Sequence, residues 1–297
     1  MSDFSTRTYG KWIFSGEHSV LRGGPALVFP LFKKKLELHY TLGPGALVVD
    51  AIGENASDIM DMFPGVLEKA LEILNRNDEV ITGRIKFTNE LPLGSGMGAS
   101  SSLCVGFSRW FHYLGFVKSD EIYEFARQLE NIFHGESSGV DIAVVLHEKA
   151  LVFKRPNLIE TLNIKNNFKL YLSHTGQKGI TKECVNKVNA FIKADPIIGL
   201  KTDEKMIQTT KNAIQLFMNS SNSKDTNELI EILNSGYECF KIWGLTEGAV
   251  DAHINFLKSQ GALAAKPTGS GGGGYVLSLW PDSINRNIGF EVIELFE

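Results

Sequence analysis

The sequence is short of cysteine, of charge imbalance and of long apolar runs, and each shortage removes a class of protein. Its three cysteines, Cys104, Cys184 and Cys239, are odd in number, far apart and free of any Cys-x-x-Cys spacing. They exclude a disulfide frame and a thiolate zinc site, and they read as reduced thiols of a cytoplasmic protein. Thirty Lys and Arg stand against 34 Asp and Glu, a formal charge of −4, which argues against a chain that coats nucleic acid or an anionic membrane. No apolar stretch reaches the ~18 residues of a membrane helix, and the opening Met-Ser-Asp-Phe-Ser-Thr-Arg lacks the apolar core of a leader. Repeats and low-complexity segments are absent as well. Disordered, fibrous, secreted and membrane classes are thereby set aside. The 297 residues suggest two domains at roughly 150 residues each, with a boundary expected near residue 165, giving 1–165 and 166–297.

Glycine is what the sequence has in excess: 29 residues against a usual share of about 7%. Many fall in three groups, a loose one at Gly10–Gly24 and tight ones at Gly94–Gly98 and Gly269–Gly274. Bunched glycines mark backbone brought close to something. Around them the periodicity alternates between strand and helix, an α/β pattern. Leu36, Leu38, Tyr40 and Leu42 alternate with polar residues as in a half-buried strand, and Ala46–Ile52 reads as a second one. Phe63, Val66, Leu67, Ala70, Leu71 and Leu74 share a helical face, as do Leu103, Phe107, Trp110, Phe111 and Leu114. A further helix is expected behind a Ser119 cap, and Asp141–Leu146 with Ala150–Lys154 reads as a strand pair. Beyond residue 165 the pattern predicts a strand at 169–173, helices near 178–194, 203–219, 225–242 and 246–260, and strands at 275–280 and 290–296.

Four constellations could carry chemistry. In Leu91–Ser102 a strand runs into Gly94-Ser95-Gly96-Met97-Gly98-Ala99-Ser100-Ser101 and a helix opens with hydroxyl residues. Free backbone N–H groups at a helix N-terminus form an anion site; a tight turn with an ordinary serine cap is the plain alternative. The segment is neither a dinucleotide fingerprint, since Ala99 stands where the third glycine belongs, nor a Walker A loop, since no Gly-Lys-Ser/Thr follows. Ser100 could also place its hydroxyl on a phosphate-bound Mg²⁺. In Glu130–Asp141, Asp141 could serve as a base for a hydroxyl with Glu130 on a metal ion. On these residues alone a partly solvated helix acid and a turn-capping aspartate are the simpler reading. In Tyr9–Gly24, Lys11 opens an apolar strand, and Glu17 and His18 follow in a turn where charges often face solvent. In Ala265–Tyr275, Thr268, Gly269, Ser270, Gly271 and three more glycines run straight into a strand, which reads as a backbone wall rather than a linker.

Taken in order, Gly-Lys-x-x-x-x-Gly-Glu-His, Pro-x-Gly-x-Gly-Met-Gly-x-Ser-Ser and Lys-Pro-Thr-Gly-x-Gly-Gly-Gly-Gly resemble the three motifs of the GHMP kinases (galacto-, homoserine, mevalonate and phosphomevalonate kinases). Ser15–Val20, His134-Gly135 with Ser138–Asp141, and Thr175-Gly176 with Thr181–Glu183 resemble the mevalonate-phosphorylating branch. The resemblance implies an N-terminal ribosomal-S5-like α/β domain, a C-terminal ferredoxin-like α/β domain and an active site in the cleft between them. It implies ATP- and Mg²⁺-dependent phosphorylation of the primary hydroxyl of mevalonate, as a step toward isoprenoids, with no nucleic-acid or membrane partner; homodimers occur in the family. By motif, Gly94–Ser101 would wrap the ATP phosphates, Ser100 and Glu130 hold Mg²⁺, and Asp141 take the hydroxyl proton beside Lys11. Glu17, His18 and Thr268–Gly271 would line the acceptor. Three places depart from the family pattern: Ile142 where Asn follows the aspartate, Glu136-Ser137 in place of Asn-Pro, and Ala99 where serine is common. They bear on the acceptor more than on phosphoryl transfer.

Overall fold

The computed structural model describes residues 2–135, 137–156, 158–164, 168–219, 226–284 and 288–296. The chain forms two compact units that interleave in sequence. One comprises residues 1–11, 30–93 and 97–148, and the other residues 12–29, 94–96 and 149–297. The boundary expected near residue 165 falls on residues 165–167, which lie outside the described residues.

The first unit takes the start of strand β1 (Phe4–Ser15) and most of β2 (Ala26–Ala46), followed by β3 (Val48–Ile52), helix α1 (Ala56–Ile73), β4 (Thr82–Asn89) and helices α2 (Ala99–Tyr113), α3 (Ile122–His134) and α4 (Val140–His147). β4 runs antiparallel to β2, with Leu38 opposite Phe87, and parallel to β3, with Ala51 opposite Phe87. The alternation predicted for Leu36–Leu42 holds as far as Tyr40: Leu36, Leu38 and Tyr40 are buried and Glu37 and His39 are not, but Leu42 is 65% exposed. Aromatic rings fill the space between sheet and helices. Phe63 of α1 lies 5.8 Å from Phe87 and 5.2 Å from Phe107, centroid to centroid, and Trp110 lies 5.4 Å from Tyr40. Such tilted and edge-on pairs add to the burial of large apolar surfaces.

Two local expectations are corrected here. Asp141–Leu146 is not a strand but the body of α4, which opens on Gly139 at φ 83°. Val140, Ile142, Ala143, Val144 and Val145 are all buried, so the run is apolar on every side and carries no period that could separate a short buried helix from a strand. Ser119 does not cap α3. A single 3₁₀ turn, Ser119–Glu121, precedes it, and Glu121 reaches back to accept the Lys118 N–H at 3.0 Å, the return half of a capping box.

The second unit holds the end of β1 and the start of β2, then β5 (Leu151–Lys154), β6 (Leu158–Thr161), β7 (Lys169–His174), helices α5 (Thr181–Ala194), α6 (Pro196–Asn219), α7 (Thr226–Ile242) and α8 (Ala249–Ser259), and strands β8 (Ala264–Pro267), β9 (Tyr275–Trp280) and β10 (Val292–Glu294). Strand β5 pairs antiparallel with the first residues of β2 and with β6. A four-stranded antiparallel sheet has the order β10-β7-β9-β8. Helix α6 starts seven residues earlier than the pattern suggested, at Pro196, whose fixed φ and missing N–H suit the first helical position. Phe14, Phe29 and Phe217 pack edge-on in this core, with Phe14 and Phe217 at 5.0 Å.

Candidate active site

Within the first unit, β1 brings Lys11 against the start of α4. Lys11 Nζ lies 2.7 Å from Asp141 Oδ2, with the lysine side chain 3% and the aspartate side chain 21% exposed. The other oxygen, Asp141 Oδ1, is buried and has no hydrogen-bond partner among the described residues. The pair thus leaves one carboxylate oxygen held in place and uncommitted, which a structural salt bridge would not need. Asp141 also lies in the first turn of α4, where the helix dipole favours negative charge. Lys11 is positioned from two sides. Its N–H donates to Met97 O at 2.9 Å, and a Cβ on Gly98 would lie 2.7 Å from Lys11 Cγ, so glycine at 98 is what lets the lysine stem pass.

Helix α2 opens on Gly98 at φ 79° with no side-chain cap. The ordinary serine cap is therefore ruled out, and the three serines behind it divide their work. Ser101 donates to Glu130 Oε1, and Ser102 donates to Tyr9 O at 3.0 Å. Ser100, 8% exposed, is the second residue of the helix. Glu130 is buried and also accepts a bond from Ser137 on its other oxygen. The simpler reading, a partly solvated helix acid, is corrected: this carboxylate is built into a hydroxyl framework. Its nearness pushes the buried Cys104 thiol further above its ordinary range, after burial itself. Among the described residues no group of three or more His, Cys, Asp or Glu forms a metal cage. The groups at hand, the Ser100 hydroxyl and the Glu130 carboxylate, are hard oxygens of the kind that suit a Mg²⁺ taking its other ligands from water and phosphate.

Ile142 is fully buried in α4, and Ser137 serves Glu130 and, by accepting the Gly139 N–H at 3.0 Å, the turn before Asp141. Glu136 lies outside the described residues.

In the second unit the two glycine-rich segments meet. A Cβ on Gly274, at φ 76°, would lie 2.6 Å from Ser95 O, and one on Gly96 would lie 3.3 Å from Thr268 O. Gly179 N–H donates to Gly94 O at 3.0 Å. Part of the glycine demand in both segments is therefore mutual backbone contact.

Glu17 and His18 do not face solvent; both are buried. His18 Nε2 lies 2.9 Å from Ser270 O, and because a carbonyl only accepts, Nε2 carries the proton. Burial holds the His18 imidazole down to about 4, with the Arg22 charge acting in the same direction and the Ser270 bond and Asp203 opposing it. Arg22 is committed to Asp203, its Nη2 donating to Oδ1 at 2.7 Å. Thr268 uses its hydroxyl on the protein: Oγ1 donates to Ile13 O at 2.8 Å and accepts the Ile13 N–H at 3.0 Å. Lys266 was not singled out from the sequence, yet its Nζ lies 2.6 Å from Glu17 Oε1, with both side chains 1% exposed. The signal available was a lysine inside the apolar run that enters the last glycine motif.

Comparison with known proteins fits this geometry. Residues 65–149 match the family described as GHMP kinases N terminal domain. The curated mevalonate kinase of Pyrococcus horikoshii is 24% identical over 295 residues, covering 91% of this chain and 87% of its own length, and that of Archaeoglobus fulgidus is 25% identical over 273 residues, covering 91% and 90%. The crystal structure of L. major mevalonate kinase in complex with R-mevalonate superposes with a TM-score of 0.78 at 22% identity, covering 95% of this chain and 91% of that one. The Streptococcus pneumoniae phosphomevalonate kinase structure gives 0.73 at 13% identity, covering 94% and 93%. Residues 65–149 thus match the GHMP kinase N-terminal domain family, and the chain as a whole has the fold of the GHMP kinase structures. Among that class, mevalonate kinases are curated relatives to which it is similar.

Proposed function

We propose that the chain phosphorylates the primary hydroxyl of mevalonate at the expense of ATP, giving 5-phosphomevalonate on the way to isoprenoids. The observation that carries the chemistry is the Lys11–Asp141 pair with its uncommitted Oδ1. In this reading Asp141 Oδ1 accepts the proton of the acceptor hydroxyl as its oxygen bonds to the γ-phosphorus and the bond to ADP breaks. Lys11 holds the Asp141 carboxylate in place through Oδ2 and offsets charge on the acceptor oxygen. Phosphoryl transfer asks for positioning and charge neutralisation more than for a strong base, because proton loss comes late in a loose transition state. The backbone N–H groups of Gly94–Ser101 and the uncapped start of α2 receive phosphate. Ser100 and Glu130 would hold Mg²⁺, which when bound neutralises phosphate charge. Ser101 and Ser137 keep the Glu130 carboxylate turned to one orientation.

The acceptor assignment rests on the relatives' names and on charge. A phosphorylated acceptor would want unpaired cations. In the second unit Arg22 is paired with Asp203 and Lys266 with Glu17, so neither is available for an extra phosphate. Three free, buried cysteines support a cytoplasmic setting, and no helix among the described residues is long and apolar enough to cross a membrane. The test is ADP release from Mg-ATP with mevalonate, phosphomevalonate, galactose and homoserine offered separately. Turnover on mevalonate alone is expected. Turnover on another acceptor would move the substrate and keep the mechanism, and nucleotide binding without turnover on any of the four would overturn the reading.

A further inference from the structure

Lys266 is a lysine that burial alone does not explain. Its ammonium donates to Glu17 Oε1 at 2.6 Å and to Phe14 O at 3.0 Å, and it lies 5.4 Å from the centroid of the Phe240 ring. Two oxygens and one aromatic face thus account for its three N–H directions. Its stem needs room made for it: a Cβ on Gly236 of α7 would meet Lys266 Cε at 3.1 Å. A buried ion pair is a poor way to gain stability, since desolvation consumes most of the attraction and apolar side chains of similar size often do as well. The location suggests another use. Lys266 stands two residues before Thr268, and Glu17 stands between Gly16 at φ 102° and His18 at φ 60°. A non-glycine residue at positive φ stays there only when its surroundings over-determine it. Here the same segment does so twice, with Lys266 on Glu17 and Ser270 O on His18.

We infer that Lys266 is a positioning and specificity-determining residue for the acceptor: it fixes the Glu17–His18 turn and cancels the Glu17 charge, so that an anionic acceptor is not repelled. The inference rests on the proposed role of that turn in acceptor binding. An uncompensated carboxylate in a low-dielectric surrounding acts strongly on any nearby anion, whereas a tight ion pair acts weakly. The pair therefore permits a carboxylate-bearing alcohol and adds no free cation that would favour a doubly charged phosphate ester.

The test is Lys266→Met, which keeps the apolar stem and removes the ammonium, alongside the double variant Lys266→Met/Glu17→Gln. The single variant is expected to raise KM for mevalonate about tenfold or more, with kcat and KM for ATP within about twofold of the wild type. The double variant, having no uncompensated charge, is expected to recover about threefold or more of that loss. Equal rises in both KM values, a loss confined to kcat, or a double variant no better than the single would each overturn the inference. Should the single variant not fold, the double variant is compared with Glu17→Gln alone; a KM for mevalonate differing by less than about twofold between them supports charge cancellation, and a larger difference refutes it. If wild-type protein turns over another acceptor of the panel, the same variants are measured on that acceptor. Wild-type protein that neither turns over nor binds mevalonate by calorimetry, while binding ATP, refutes the acceptor reading and this inference together. Mevalonate turnover with unaltered KM in Lys266→Met refutes the inference alone.

Discussion

Lys11 and Asp141 are 130 positions apart in the chain and 2.7 Å apart in space, one on a strand and the other in the first turn of a helix. The lysine fixes one carboxylate oxygen, and the other has no hydrogen-bond partner among the described residues. Asp141→Asn keeps the shape and removes the base. It should cut kcat by ~10²–10⁴ while ATP affinity, read by equilibrium binding, stays within about twofold. Near-normal turnover would show that another group takes the proton.

Gly98 offers a cleaner probe of Lys11 than removing the lysine itself. Gly98→Ala puts a Cβ 2.7 Å from Lys11 Cγ at φ 79°, whereas Gly115→Ala meets nothing within 4 Å at φ 80°. Both should cost about 1–2 kcal/mol of stability from the left-handed backbone. Only Gly98→Ala should also lower kcat, by displacing the lysine. Equal kcat values at matched stability losses would remove the steric link between glycine and lysine.

Glu130→Gln tests the metal assignment. The carboxylate accepts bonds from Ser101 and Ser137, and both hydroxyls can rotate to suit an amide, so the fold should survive. The Mg²⁺ concentration for half-maximal rate is expected to rise on the order of tenfold. An unchanged metal titration with reduced kcat would assign Glu130 a purely structural part in holding α2.

His18 sets an acid limit on stability. Its folded value of about 4 lies below the ordinary 6.5 because burial disfavours the charged ring. Between those values the unfolded chain binds the extra proton, so stability rises with pH there. The contribution is complete above about pH 6.5 and is lost as pH falls toward 4, on the order of 3 kcal/mol in all. Melting temperatures of the wild type and His18→Asn, which does not titrate, should converge as pH drops from 6.5 to 5, before most carboxylates protonate. Parallel curves over that window would mean that the ring is not held neutral.

Much of the site was legible because its demands are local. Glycines at 94, 96 and 98, all with φ between 71° and 81°, stand in the order that a left-handed backbone requires, and the serines behind them mark a helix start. What could not be read was where the side chains finish. Glu130 looked like a half-exposed helix acid, and only the approach of α2 and of Ser137 makes it a buried acceptor. Glu17 and His18 read as turn charges; in the fold Lys266 of β8 meets Glu17, while Ser270 O and the Phe240 and Trp243 rings meet His18. A strand is the reading that Asp141–Leu146 invites, because a short run of buried β-branched residues has no period to betray a helix.

The sequence alone was enough for most of the alternation of strands and helices and for the three glycine segments, since each depends on neighbours within one turn or one strand; the candidate phosphoryl-transfer residues came from the order of the motifs. Tertiary structure decided that Ser101 bonds Glu130 and Ser102 bonds Tyr9, that Thr268 spends its hydroxyl on Ile13, and that Lys266 pairs with Glu17 across 249 positions. Pairings of that kind depend on burial, which sets whether a charge needs a partner, and burial is a property of the packed chain rather than of any window along it.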